Sequence, residues 1–138
     1  MGTWSADAFG NDDAADWAFE LADSADLSLV EAAIDGALAE GDYLDAPEAA
    51  IALAATEVLA RLNGQWGDRN AYTAPADAWV EQIEVRPTPE LLGRARAAID
   101  RILGADSEMA ELWQDSDDYA AWLASVQDLR SRLGDTSG

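Results

Sequence analysis

Apolar side chains along this chain recur at spacings of three and four, with acidic and small polar residues between them. No run alternates with the period of two that marks a half-buried strand, so the pattern predicts helices throughout. A first helix is expected from about Asp13 to Asp23, capped by Asn11 or Asp12, with Trp17, Leu21 and Phe19 facing inward and acidic residues at the positive end of its dipole. Ser28-Leu29-Val30-Glu31 has the Ser-x-x-Glu spacing of a capping box, and Leu27, Val30, Ile34 and Leu38 then share one face of a second helix that runs to about Glu40 and stops at Gly41. Tyr43-Leu44-Asp45-Ala46-Pro47-Glu48 restarts the chain with a cap and an early-turn proline. The third helix is expected from about Ala46 to Leu62. Ile51, Leu53, Ala54, Val58, Leu59 and Leu62 make it apolar over a wide arc, which predicts the central helix of the fold, stopped by Asn63-Gly64.

Residues 64–75 read as a surface loop pinned by Trp66 and Tyr72. A short helix with Trp79, Val80 and Ile83 follows and ends before Pro87. Thr88-Pro89-Glu90 opens the next, whose stripe of Leu91, Leu92, Ala95, Ile99, Ile102 and Leu103 closes at Gly104. Ser107 opens a brief helix carrying Met109, Leu112 and Trp113. Asp115-Ser116-Asp117-Asp118 interrupts it and caps a last helix through Trp122, Leu123, Val126, Leu129 and Leu133, ended by Gly134. The expectation is an all-α fold: a single compact bundle of six or seven helices over residues 1–134, with the aromatic N-terminal segment packed on it and a loose tail over 135–138.

Composition adds a strong charge asymmetry. Among 138 residues, 28 are Asp or Glu against 8 basic residues, all arginine, for a net charge of −20. Such a surface repels phosphate backbones and anionic lipid, which argues against nucleic-acid or membrane partners and allows a basic protein. Solubility alone also accounts for acidity of this kind. No stretch reaches the roughly 18 uninterrupted apolar residues of a spanning helix, and the N-terminus lacks the basic start and apolar run of a signal peptide, so a cytoplasmic protein is expected. With neither cysteine nor histidine, disulfides, thiolate nucleophiles and the common base–nucleophile pairs are excluded.

The opening, with Trp4, Phe9, Asn11, Asp12 and Trp17, the Tyr43–Glu48 block and the block from Ile102 to Trp113 together resemble the bacterial family called domain of unknown function 4259 over the whole length. Ser5 stands where that family usually carries glycine. The resemblance implies a shared fold and brings no catalytic or binding residues with it.

Carboxylates are the remaining groups with reactive or metal-binding potential. They cluster at Asp12-Asp13-Asp16, Asp42-Asp45-Glu48, Asp106-Glu108-Glu111 and Asp115-Asp117-Asp118. Oxygen-only sites suit Mg²⁺, Mn²⁺ or Ca²⁺, and none of these clusters has the calcium-loop spacing. Glu81-x-x-Glu84 and Glu108-x-x-Glu111 each set two carboxylates on one helix face, which resembles the paired glutamates of MazG-type nucleotide pyrophosphohydrolases. There such residues hold Mg²⁺ against a polyphosphate. The second pair ends in Glu where that motif has Asp, and no cationic cluster is evident to hold phosphates. Arg61, Arg94 and Arg101 are expected in surface pairs such as that of Asp100 with Arg101, and Arg130 and Arg132 at the negative end of the last helix. The leading functional expectation is a non-catalytic interaction module, immunity-like or inhibitory, without a cofactor and engaging a basic partner. The alternative is a Mg²⁺- or Mn²⁺-dependent hydrolase built on Glu81, Glu84, Glu108 and Glu111.

Overall fold

A computed structural model describes residues 12–24, 26–39, 43–66, 73–83, 85–104 and 106–133. Among them the chain forms seven helices: α1 (Asp12–Ala22), α2 (Ser28–Ala39), α3 (Ala46–Leu62), α4 (Ala74–Ile83), α5 (Pro89–Ile102), α6 (Glu108–Gln114) and α7 (Tyr119–Arg132). No strand is present among the described residues; Leu44 and Ser107 make one isolated parallel bridge. The expected N-terminal anchors Trp4, Phe9 and Asn11, the stop at Gly41, the pin at Tyr72, the metal candidate Glu84 and the tail lie outside the described residues.

The long α3 is the centre of the bundle. Its alanines, with Leu53, Val58 and Leu59, are buried nearly all round, and α1, α2, α4, α5, α6 and α7 all pack against it. A helix with apolar side chains on every face has no side to present to water, so it goes inside. Alanine keeps the surrounding helix axes close, while Trp17, Trp79, Trp122 and the branched residues fill the wider gaps. Asn63 and Gly64 terminate α3: Gly64 takes φ 86°, its N–H donates to Arg61 O, and the Gln65 N–H reaches Ala60 O, a Schellman pair that satisfies two carbonyls of the last turn.

Around this centre, α5 begins as its sequence dictates, with Thr88 Oγ1 accepting from Leu91 N–H at 3.1 Å and proline at the first helical position. Ser107 does the same for α6, accepting from Ala110 N–H at 3.3 Å. Trp113 and Trp122 stack at 5.9 Å between ring centroids and, with Tyr119, join α6 to α7. Trp79 of α4 donates its indole N–H to Ser24 O just past α1 at 2.9 Å.

Several local expectations are corrected. Phe19 faces outward, 67% exposed, because the buried stripe of α1 runs through Ala14, Trp17, Ala18 and Leu21 and leaves position 19 on the opposite side. The Ser28 capping box does not form: Asp26 Oδ1 accepts from Ser28 N–H, and the Glu31 carboxylate turns to Arg94. Asp45 occupies the N-cap of α3 without a side-chain bond, and the Ala46 N–H donates instead to Glu108 Oε1 at 2.7 Å. Asp118 likewise caps α7 by position alone, its own N–H being taken by Ser116 Oγ. Asp100 pairs with Arg130 across α5 and α7, whereas its expected partner was the adjacent Arg101.

Candidate functional site

The two sequence blocks at residues 43–48 and 102–113 meet in space. Leu44 N–H donates to Asp106 O at 2.8 Å, Glu108 N–H donates to Leu44 O at 2.9 Å, and the Glu108 carboxylate caps α3. Glu111 accepts from the Tyr43 hydroxyl. Partial desolvation, followed by that bond and the negative charges of Glu111, Glu108 and Asp45, pushes the Tyr43 hydroxyl up to about 12. Glu108 and Glu111 are thus engaged on neighbouring backbone and side-chain donors. Glu81 lies on α4 at the rim of a cleft, and no group of three or more acidic residues spaced for a metal ion occurs among the described residues.

A second constellation is one the residue pattern did not announce. Glu57 and Arg61 stand one turn apart on α3, and Arg61 is only 2% exposed. The expectation of a surface pair for Arg61 is therefore overturned, because α3 itself is interior. Its guanidinium hydrogen-bonds the Glu57 carboxylate and, through Nε at 2.7 Å, Asp77 Oδ1 on α4. Thr73 Oγ1 donates to Asp77 Oδ2 at 2.6 Å. From the end of α7, Arg132 closes the network with two bonds to Glu57, at 2.6 and 2.8 Å, and one to Asp128 at 2.8 Å. The Glu57 bonds hold the Arg132 guanidinium above the ordinary arginine range. Among the described residues, two guanidiniums thus face two buried carboxylates, the pairing under which such burial is tolerated.

This network forms one side of a cleft of about 360 Å³, lined by Arg61, Leu62 and Trp66 at the end of α3, Val80 and Glu81 of α4, and Val85 and Arg86 beyond it. Trp66 is partly exposed, and Arg61 packs its guanidinium over the ring at 5.3 Å, a cation–π contact that fixes the indole at the mouth.

Elsewhere the arginines are drawn to the far elements. Arg94 joins α5 to Asp35 and Glu31 of α2, Arg130 joins α7 to Asp100 of α5, and Arg132 reaches α3. The first of these is the surface pair expected from sequence. On α1, which contains no arginine, Asp13, Asp16 and Glu20 with Asp23 just beyond are exposed beside Phe19, and among the described residues none of the four enters an ion pair. Leu112, 58% exposed between Glu111 and Asp115, is a smaller instance at the α6–α7 turn. The signature residue Trp17 is buried in α1 and Asp12 begins that helix.

The chain belongs to the family described as Domain of unknown function (DUF4259), whose sequence model matches residues 2–125. No curated protein and no solved structure matches the chain.

Proposed function

We propose that this member of the DUF4259 family is a non-catalytic interaction module that engages a basic protein partner through the outer face of α1, in the manner of an immunity or inhibitory protein. The observation that carries this reading is the exposed Phe19 set among Asp13, Asp16, Glu20 and Asp23, with no arginine on the helix to neutralise them. An aromatic ring ringed by unpaired charges offers a partner both a desolvated anchor and long-range steering, the two ingredients of a tight and selective contact. A net charge of −20 strengthens the steering toward a basic surface.

The deciding experiment compares three tagged chains in pull-downs from host lysate, eluted by a salt gradient and read by mass spectrometry: wild type, Phe19→Ala, and Asp16→Lys with Glu20→Lys. One basic protein held stoichiometrically by wild type and lost from both variants is the expected result. Truncating the anchor should weaken the isolated complex about tenfold or more. The same proteins recovered by all three chains would remove the α1 face as the site.

A further inference from the structure

We propose that the cleft between the end of α3 and the Val85–Arg86 segment binds a small aromatic monocarboxylate, with the ring against Trp66 and the carboxylate on Arg86. The argument starts from Arg86. Among the described residues it is the one arginine with neither an ion pair nor a hydrogen bond, in a chain where acidic residues outnumber basic ones 28 to 8. With so many carboxylates on the surface, an exposed guanidinium left unpaired at the edge of a cavity is available to an anion from outside. A guanidinium takes a carboxylate through two parallel N–H bonds, so Arg86 supplies a directional anchor.

The rest of the lining sets the body of the ligand. Leu62, Val80 and Val85 give aliphatic walls, and the Trp66 indole gives a flat surface on which a planar ring stacks. Arg61 lies over that indole, but its charge is already matched by Glu57 and Asp77. It therefore holds Trp66 in place and leaves the ligand's charge to Arg86. Glu81 also lines the cleft, and a carboxylate there weighs more heavily against a phosphate dianion than against a single negative charge. About 360 Å³ lies at the small end of ligand sites, room for one ring and a short acid side chain.

Phenylacetate is the probe, with phenethylamine as its counterpart of opposite charge and phenyl phosphate as the dianion. Each is titrated into the ¹⁵N-labelled full chain while the Trp66 indole and Arg86 Nε–H signals are followed, assigned by the Trp66→Phe and Arg86→Ala variants. Phenylacetate should shift both signals saturably, the other two should not, and Arg86→Ala should weaken phenylacetate binding about tenfold. Arg86 is exposed and unbonded, so its removal leaves the fold intact. No saturable shift with phenylacetate up to about 10 mM, the weak end for a ligand this small, would overturn the proposal. Equal binding by phenethylamine or by the Arg86→Ala chain would overturn it as well.

Discussion

Arg61 shows how far one buried charge reaches. Its guanidinium is withdrawn from water, at a desolvation cost of several kcal/mol that only close partners offset. Arg61→Met takes from Asp77 and Glu57 the buried guanidinium that both hold, and should destabilise the fold by about 3–5 kcal/mol in urea denaturation. Adding Asp77→Leu should recover part of that loss, because the second substitution removes a buried carboxylate that has lost its Arg61 partner. A loss under about 1 kcal/mol from the single change would mean that the network is solvated like a surface pair. The signal for this residue was present in the sequence: a helix read as apolar over a wide arc, and therefore central, carries Glu57 and Arg61 inside with it. The plentiful acidic neighbours of Arg61 alone suggest a surface pair. Tyr43 gives a second residue-level prediction. Its protonated hydroxyl is the form favoured by the fold, so the stability it contributes is complete below pH 10.0 and is lost as the pH rises from there to about 12. In an absorbance titration of the three tyrosines, one should ionise near 12. That late step should vanish in Tyr43→Phe and move down in Glu111→Gln, and its persistence in Tyr43→Phe would assign it elsewhere.

At the scale of the element, the helices legible in the sequence are those whose ends are settled within a few residues. Thr88-Pro89 starts α5, Ser107 starts α6 and Asn63-Gly64 ends α3, each by a bond inside its own turn. The start of α3 is different, since the acceptor for its first N–H comes from Glu108, 62 residues away. No local rule reaches that far, and Asp45, which satisfies the local rule, makes no side-chain cap. The contrast is measurable. Glu108→Ala should cost about 1.5–3 kcal/mol, the range for a hydrogen bond to a charged group, whereas Asp45→Ala should fall within about 0.5 kcal/mol of wild type. The reverse order in urea denaturation would return the cap to Asp45. The pairing also brings together two sequence blocks far apart along the chain: Leu44, Ala46, Ser107 and Glu108 form one joint between α3 and α6. Of the pair Glu108-x-x-Glu111, the sequence reveals the shared helix face, and only the fold reveals what each carboxylate already holds.

For the whole molecule the dominant quantity is the net charge, legible from composition, together with its distribution, which is not. The arginines tie α2 to α5, α5 to α7 and α7 to α3, while α1 and α6 carry carboxylates and no arginine. Repulsion among the exposed carboxylates opposes the folded state, which holds them closer than the unfolded chain does. Added salt shortens the reach of that repulsion from about 10 Å at 0.1 M to about 3 Å at 1 M. It also weakens the exposed Arg94 and Arg130 pairs, but those are each worth no more than about 1 kcal/mol, and the buried Arg61 network is screened far less. Repulsion therefore outweighs pairing, and the melting temperature should rise steadily from about 0.05 to about 1 M of a weakly interacting salt such as sodium chloride. The Asp16→Lys and Glu20→Lys chain, which relieves crowding on α1 and brings the net charge closer to zero, should start higher in melting temperature and respond less steeply. A flat profile for the wild-type chain would show that its carboxylates are spread too widely to strain the fold. A rise shared equally by both chains would place the strain away from α1, and with it the steering on which recognition of a basic partner depends.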